Sequence, residues 1–472
     1  MSTLPFSSVY AQTLTPAPPP PAAILYKPQP ADANAILTLR DAILLAMRFN
    51  PNVKNAELQR VVDKFSLAVA RDQFAPQVSL TGQALFQNGA APSYSGFPTV
   101  NYLTPYGTQI KTGLTQVIDS DNAAAFTTDA TVSITQPLLR GFGKRVTQAN
   151  LYSAQDTEKI NQLNFKNSVM TQVVGVINAY YQLVQAYNSL EVNNLSLRDE
   201  ENTLNQTQAK IKVGKAAPTE QIQQQLNIAN SQLNISQNQN AVLQSYQNLL
   251  SLLGLDPNAH INIDKKINYP NKALPSLNEC IDTALAHNIS YQSALFAYKI
   301  TERGVIVAQD QQKWQLNATG TLMQPITPTG GSTGISSKSL TLDLDIPIHD
   351  VARQQQLVSA KVALSQAKVN LTQQKYALIT NVTNAYHTVQ YNQRQVQLSE
   401  NTVKLAQQSL NIAKIKFNYG KTTSFELTSL QSALTNAQIG FIGQRIQYIN
   451  AVEALFQILG TTLQRWDINL TY

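Results

Sequence analysis

The clearest pattern in the chain is a strict alternation of apolar and polar residues in four short segments. The segments cover residues 77–86, 128–137, 315–323 and 339–348. In the last of them, Leu340, Leu342 and Leu344 alternate with Thr341 and Asp343. A period of two is typical of a β-strand with one apolar and one polar face. The sequence therefore predicts four two-faced strands.

Long stretches between these segments follow a helical period instead. The first long helix is predicted over 146–211, which contains no proline and only Gly175, and it would be about 100 Å long. Apolar residues recur at every seventh position, namely Leu190, Leu197, Leu204 and Ile211 in this helix, and Val396, Val403, Leu410 and Phe417 in a second long helix that ends at 417. A seven-residue period predicts left-handed coiled coils.

The chain contains an internal duplication. Residues 39–82 align with 277–320 without a gap, and Gly214 corresponds to Gly420. Each copy is predicted to contain an opening helix, two strands, a long helix and a shorter helix. The opening helix covers about 38–74 in the first copy, and the shorter helices cover 217–253 and 422–459. Each unit would be a rod in which one long helix pairs with two shorter ones.

This repeat divides the chain into five segments. They are a Pro- and Ala-rich linker (1–36), the first repeat (37–254), a connection (255–276), the second repeat (277–460) and a tail (461–472). Within the linker, Val9-Tyr10-Ala11 resembles the small-residue cleavage site of a secretory signal, but no apolar segment precedes it. A signal remnant and a disordered tail are the two interpretations.

Composition excludes several classes of protein. Charged residues make up 13% of the chain, its net charge is +7, and it contains no basic cluster with interleaved aromatics, so no nucleic-acid partner is expected. The single cysteine, Cys280, excludes a disulfide framework. Its helical phase predicts a buried core residue. No cofactor, no metal site and no catalytic constellation is expected, and no apolar run is long enough for a transmembrane helix.

The four strands have the length of transmembrane barrel strands, which cross a bilayer with 9–11 tilted residues. A soluble antiparallel sheet with one wet face is the alternative. Four strands attached to a rod lack a globular core that would cover their apolar faces, and open edges are not tolerated in lipid. Two copies would close a filled barrel of about 8 strands, whereas three would close a pore of about 12.

The predicted fold class is therefore an α+β membrane protein. It has a long coiled-coil α-helical barrel and a transmembrane β-barrel, with four strands per protomer and 12 in a homotrimer. Asp343 and Asp345 lie on the polar face of the last strand and are predicted to face the barrel lumen. The segment between the first two strands, which includes residues 88–107, is the longer one and is predicted to be the larger external loop. The shorter loop contains 327–334.

Two Gly-Lys pairs follow the long helices, in "KIKVGK" (210–215) and "KFNYGK" (416–421). A phosphate-binding loop requires an earlier glycine and a serine or threonine after the lysine, and Ala216 follows Lys215. Gly214 and Gly420 are predicted to stand just past a helix end with a positive φ angle.

Four motifs together resemble the TolC-like outer-membrane efflux proteins. They are "AILLAMRFNP" (42–51), "VSITQPLLRGFG" (132–143) with its echo "LDLDIPIHDVAR" (342–353), the Gly-Lys turns, and "LLSLLGLDP" (249–257). The resemblance implies a trimeric exit duct in the bacterial outer membrane with a periplasmic tunnel. It also implies a periplasmic adaptor and an inner-membrane pump or ABC transporter as partners, in multidrug efflux or type I secretion. The rival hypothesis is a soluble periplasmic coiled-coil adaptor or scaffold without a pore.

The resemblance also assigns candidate residues. The adaptor-docking tips would comprise Val213, Gly214, Lys215, Tyr419, Gly420 and Lys421. The periplasmic constriction would comprise Thr219, Glu220, Phe417, Thr422 and Glu426, with Glu426 in an acidic ring. Phe417 and Thr422 stand where the family's best-known member has a tyrosine and an arginine that lock its closed tip, and Ser429 replaces a second ring acid. The closed tip is therefore expected to be held differently.

Overall fold

The computed structural model describes residues 36–86, 93–119, 126–267, 274–326 and 336–470. Almost all of the predicted linker, including the candidate cleavage site, and the predicted loop at 327–334 lie outside the described residues.

Long helices dominate the chain. The helices are α1 (Leu39–Phe49), α2 (Pro51–Asp72), α3 (Lys144–Thr147), α4 (Ala149–Lys212), α5 (Pro218–Leu253), α6 (Leu277–His287), α7 (Ile289–Asp310), α8 (Val351–Asn418), α9 (Ser424–Leu459) and α10 (Thr462–Arg465). The strands are β1 (Ile36–Leu37), β2 (Gln77–Leu85), β3 (Ser93–Leu103), β4 (Gln109–Asp119), β5 (Phe126–Pro137), β6 (Asn262–Ile263), β7 (Gln315–Ile326) and β8 (Ser337–Asp345).

The single opening helix predicted over 38–74 is wrong, because the structure has two helices on either side of Asn50. This residue is extended, with φ −61° and ψ 124°, as the position before a proline favours. Its side chain caps α2 by accepting from the backbone N–H of Asn52 at 2.8 Å. Asn288 makes the same break in the second copy without a following proline, and accepts from the N–H of Tyr291 at 2.9 Å.

Both asparagines also join the break to the end of a distant helix. The Asn50 side-chain amide donates to the carbonyl of Leu252 at 2.6 Å, and that of Asn288 donates to the carbonyl of Ile458 at 2.8 Å. Each of these helix ends continues into a glycine in the left-handed region, Gly254 with φ 70° and Gly460 with φ 76°. A Cβ atom on Gly254 would lie 2.2 Å from the carbonyl oxygen of Phe49. Glycine is therefore required by both conformation and space.

The six long helices α2, α4, α5, α7, α8 and α9 form the helical rod. In the half of the rod nearer the sheet its core is apolar. The core is centred on α4, where Val169, Met170, Ile177 and Leu183 are fully buried. A second cluster belongs to the second copy and contains Cys280, so the expectation that this cysteine is a buried core residue is confirmed.

A buried ion pair and a partly buried one fix α4 between α2 and α7. Arg60 on α2 binds Glu158 with both guanidinium nitrogens, one of them at 3.1 Å, and Arg303 on α7 binds Asp156. The guanidinium of Arg60 holds the pKa of the Glu158 carboxyl below its usual range. Removing one partner of such a pair leaves an uncompensated buried charge, which costs about 3–5 kcal/mol.

The main sheet is antiparallel and has six strands in the order β2-β3-β4-β5-β7-β8. The prediction of four strands per chain is therefore wrong, whereas the number of strands in an assembled barrel stays a prediction. The two additional strands, β3 and β4, occupy much of the segment predicted to be an external loop. Its content of Gly, Pro, Ser and Tyr indicated a loop, but pairing on both sides overrides this local preference.

Most apolar side chains of the six strands share one face. The pairing register aligns Val78 with Val100, Thr112 with Val132, and Val132 with Leu322. The opposite face carries polar residues, among them Ser79 and Thr99, whose hydroxyls hydrogen-bond at 2.7 Å. The predicted two-faced character of the strands is thus confirmed, and it extends to β3 and β4.

Two smaller features were not predicted. In the connection between the repeats, β6 pairs in parallel with β1. The segment predicted to be a tail begins with α10, whose Thr462 and Leu463 are buried, so the chain end packs against the rod.

The Gly254→Ala change is expected to destabilise the protein by about 3 kcal/mol or more, since it adds a backbone clash to the cost of a positive φ. Gly214→Ala is the matched control, because Gly214 has the same φ of 70° but its Cβ would meet nothing within 4 Å. The control is expected to cost only about 1–2 kcal/mol. Thermal unfolding in detergent measures both, and equal losses would contradict the close approach at Phe49.

Candidate functional site

The far ends of the helical rod are two turns, residues 213–217 and 419–423, here called the tip turns. The first joins α4 to α5 and the second joins α8 to α9, so each closes a helical hairpin. Gly214 and Gly420 both have φ 70°, which confirms the predicted conformation. The N–H of Lys215 donates to the carbonyl of Lys210, and that of Lys421 to Lys416, each at 2.8 Å. Both turns thus have the bonding of a Schellman motif.

The tip turns are exposed. Val213 and Tyr419 are 66% and 78% exposed, and Lys215 and Lys421 are exposed too. Both predicted docking segments therefore present a glycine, a lysine and an apolar side chain to the surroundings of this chain.

Lys210 joins the two hairpins just above the turns. Its ammonium group donates to the carbonyl of Phe417 and lies 3.1 Å from the centre of the Phe417 ring, a cation–π contact. Burial lowers the pKa of Lys210, and the charge of Glu220 opposes this effect. Lys414 adds an exposed ion pair with Asp199 at 2.8 Å.

Glu220 makes a second connection between the hairpins. Its carboxylate accepts from the hydroxyl of Ser424 at 2.5 Å and from the Ser424 backbone N–H at 3.3 Å. One turn further along α5, the amide of Gln224 is fully buried and donates to the hydroxyl of Thr428 at 2.8 Å. Polar groups therefore connect α5 to the start of α9.

A polar interface between the hairpins extends well beyond the turns. Hydrogen bonds across it join Ser196 on α4 and Gln224 on α5 to Ser424, Thr428 and Thr435 on α9. Further buried polar side chains on these helices are Ser189, Asn193, Glu200, Thr207 and Gln431. Across the interface, the hydroxyl of Thr435 donates to that of Ser196 at 3.0 Å. The interior of the second hairpin is apolar by contrast, with Leu410, Phe417 and Leu427 in one buried cluster. The second hairpin is thus held more firmly than the contact between the two hairpins.

The sequence analysis missed this interface because it followed apolar residues. On α4 the predicted leucines Leu190, Leu197 and Leu204 are only half-buried, and the buried positions are the polar ones. Ser189, Asn193, Ser196 and Glu200 have the alternating three- and four-residue spacing of a packed helix seam. This spacing could have indicated the buried polar seam from the sequence.

The five predicted constriction residues fall into two groups. Glu220 and Phe417 lie between the hairpins, and Phe417 is only 2% exposed. Thr219 and Glu426 are exposed, and the Thr422 hydroxyl donates to the Glu426 carboxylate. Asp343 and Asp345 are exposed on the polar face of β8. The gating and lumen roles stay predictions.

Glu200 is a buried acid on α4, close to the polar interface and hydrogen-bonded to Ser196 of the same helix. It is 4% exposed, and one carboxylate oxygen is without a hydrogen-bond partner. Burial raises the pKa of the Glu200 carboxyl, the nearby charges of Asp199 and Glu201 add to this, and hydrogen bonds with Ser231 and Ser196 oppose it. This buried environment therefore disfavours the ionised carboxylate of Glu200.

Other kinds of site were sought in the part of the chain that the structure describes. No group of three or more His, Cys, Asp and Glu side chains there could hold a metal ion. None of the described helices combines the length and the apolar character that crossing a membrane requires.

A sheet with a continuous apolar face, joined to a helical rod that ends in exposed tips, defines the class of outer-membrane channels. The sequence profile of the family described as "Outer membrane efflux protein" matches residues 43–255 and 280–461. The chain belongs to this outer membrane efflux protein family. It is an outer-membrane exit duct for efflux.

Solved structures share the fold. The outer-membrane channel OprN has 14% identity and a TM-score of 0.67, with 89% of each chain covered. VceC from Vibrio cholerae has 15% identity and a TM-score of 0.67, with 89% of this chain and 96% of VceC covered. The open state of MtrE from Neisseria gonorrhoeae has 14% identity and a TM-score of 0.67, with 92% and 91% covered. Curated proteins include no match to this chain.

Glu200→Gln is expected to raise the melting temperature at pH 7 by about 2 °C, because it removes a buried charge and keeps the side-chain shape. The folded pKa of Glu200 is raised, so its ionisation costs stability as the pH rises and costs nothing below the unfolded pKa of about 4.3. The gain should therefore vanish near pH 4. Exposed Glu201→Gln is the matched control, and an equal gain from both variants would contradict the argument.

Proposed function

We propose that three copies of this chain assemble into a passive duct that conducts substrates from the periplasm to the outside. The observation that carries the proposal is the continuous apolar face of the six-stranded sheet, which a single chain leaves exposed. Val78 and Leu340, on the two outer strands of the sheet, are 77% and 78% exposed. Lipid is the natural partner of such a face. The family match favours this duct over the soluble scaffold.

The edges of the sheet support assembly. Strands β2 and β8 each have one unpaired edge, and the chain runs outwards along β2 and back along β8. Because an unpaired backbone edge is costly in lipid, β8 of one copy would pair with β2 of the next. An even number of strands per chain makes this junction antiparallel, like every other pair in the sheet.

A second, exposed seam on α8 supports the same assembly. Leu398, Leu405 and Ile412 recur every seven residues and are all more than half exposed. The predicted seam on the same helix ends in Leu410 and Phe417, which are buried within the chain. Two seams at a seven-residue period are typical of a helix that packs on two sides. The outer seam would therefore pack against a neighbouring copy.

The polar interface is suited to opening at the tip. Separating apolar surfaces exposes them to water, whereas serine, threonine and glutamine exchange their mutual hydrogen bonds for bonds to water at a small net cost. The contacts of Lys210 with Phe417 and of Glu220 with Ser424 would hold the closed state, in place of the tyrosine and arginine that this chain lacks.

The tip turns would dock the periplasmic adaptor, whose inner-membrane pump or ABC transporter supplies energy and selects cargo. The duct would need neither a cofactor nor catalysis.

The duct hypothesis predicts ion conductance across planar bilayers. The double variant Lys210→Ala with Glu220→Ala should shift the tip towards the open state by about tenfold or more, since it removes two charge-assisted contacts. Lys212→Ala, an exposed lysine on the same helix, is the control. Assembled protein that conducts in neither form would overturn the duct, and an unchanged open fraction would remove these two contacts from the closed state.

Substitution of Glu426 tests whether this residue forms an acidic ring at the constriction. If three copies place this exposed carboxylate around a common axis, Glu426→Gln should raise the concentration of a trivalent cation that half-blocks conductance by about tenfold or more. Glu400→Gln, another exposed acid on the rod, should leave the block unchanged. An unchanged block in Glu426→Gln would exclude Glu426 from the ring.

A further inference from the structure

We infer that the strand hairpin β3–β4 is built into the barrel wall as a size-determining element, so that three chains close an 18-stranded barrel rather than a 12-stranded one. This inference rests on the proposed function for the existence of the barrel. It adds a statement about the width of the pore and hence about the size of the solutes that can leave through it.

The hairpin is paired on both sides. β3 pairs with β2 from Gln77–Asn101 to Leu85–Ser93, and β4 pairs with β5 from Gln109–Thr135 to Ile118–Phe126. β2 and β5, which a four-stranded wall would make neighbours, are therefore separated by two complete strands. A loop folded over the mouth or into the lumen would leave β2 and β5 free to pair with each other.

The faces of the hairpin match those of its neighbours. Val100 and Tyr102 on β3 and Ile110 and Leu114 on β4 lie on the apolar face of the sheet, by the same register that places Val132 there. The polar face of the hairpin carries Thr99, Asn101, Gln109 and Lys111. A strand in the barrel wall must place its apolar residues on the lipid-facing surface. A loop outside the wall is under no such constraint.

The turn of the hairpin is anchored at the end of the sheet that joins the helical rod. The N–H of Gly143, at the start of α3, donates to the carbonyl of Tyr106 at 3.1 Å, and the ammonium of Lys144 lies 4.9 Å from the Tyr106 ring centre. A Cβ on Gly107, which has φ 97°, would lie 2.4 Å from the carbonyl oxygen of Gly141. The hairpin therefore returns all the way to the rod.

The strands are long enough to cross the membrane. β3 and β4 have 11 residues each, or about 36 Å of strand, and a tilt of about 40° gives a height of about 28 Å. This height matches the hydrocarbon thickness of about 30 Å.

The two strands change the width of the pore substantially. At a strand spacing of about 4.8 Å and a tilt of about 40°, 12 strands give a backbone-to-backbone width of about 24 Å and 18 strands give about 36 Å. Side chains on the polar face narrow both by a similar amount, so the relative difference in open width is larger still. The barrel would then admit bulky solutes, and size selection would shift to the periplasmic tip.

Disulfide cross-linking tests the strand order directly, in the full-length chain with Cys280→Ala. The pairs Ser79→Cys with Thr99→Cys, and Lys111→Cys with Ser133→Cys, join neighbours across β2–β3 and β4–β5 and are expected to cross-link. Ser79→Cys with Thr131→Cys is the matched control, because Thr131 lies in the same row three strands away, about 14 Å in distance. Cross-linking of the control pair without the other two would overturn the inference.

Polymer exclusion tests the consequence for size. A variant with residues 88–124 replaced by an Asn-Gly turn joins β2 directly to β5, and both chains are compared in the background of Lys210→Ala with Glu220→Ala. The radius at which polyethylene glycols cease to enter from the outer side is expected to fall by about a third or more in the shortened chain. An unchanged cut-off in a conducting shortened chain would overturn the size-determining role.

The two outcomes are separable from failure of the duct itself. Absence of conductance in every form would overturn the proposed function, while the cross-links would still report the order of the strands. If the shortened chain does not fold, the polymer-exclusion cut-off of the full-length chain alone distinguishes the two barrel sizes. A cut-off that fits a backbone width of about 24 Å rather than about 36 Å contradicts an 18-stranded barrel.

Discussion

A polypeptide backbone inside lipid has no water to bind, so each of its N–H and C=O groups must find a partner in protein. The six-stranded sheet meets this constraint everywhere except along the outer edges of β2 and β8. Those two edges require another chain, and that requirement extends to the helical rod, because helices attached to strands that close in a ring must themselves stand side by side. The exposed seven-residue seam on α8 is the corresponding feature of the rod.

The rod itself divides into two halves with opposite chemistry. Near the sheet, α4 has a core of fully buried aliphatic residues and ion pairs such as that of Arg60 with Glu158, which fix it against its neighbours. Towards the tips the same helix buries serine, asparagine and glutamate. Apolar burial holds surfaces together in proportion to their area, whereas a hydrogen-bonded polar contact exchanges readily with water. One helix thus combines a permanent attachment to the barrel with a separable end.

Features that local interactions stabilise could be predicted from the sequence, whereas features that depend on contacts with distant segments could not. Strands with strict alternation, such as 339–348, and turns that require a positive φ, such as Gly214, could be found because the signal is local. The break at Asn50 also had a local signal in the following proline, but helical periodicity on both sides obscured it. The strand hairpin could not be found in this way, because Pro98 and Tyr102 adopt a strand only when β2 and β5 offer edges on both sides. The polar interface was missed because the search for packed helix positions followed apolar residues, whereas the residues buried at this interface are polar.

The hairpin also shows how a duplicated fold can change in one copy alone. A single inserted strand would reverse the direction of every later strand relative to the membrane and would send the chain out of the membrane on the wrong side. Two strands preserve the direction, provided that their turn reaches the rod. The turn does so through Tyr106 and Gly107, which lie against the exit from β5. In the described residues of the second copy, β7 pairs directly with β8 and no such hairpin lies between them. Within these constraints a pair of strands is the smallest unit by which such a wall can widen, and the width of the pore can therefore change without any change in the rod that the partners contact.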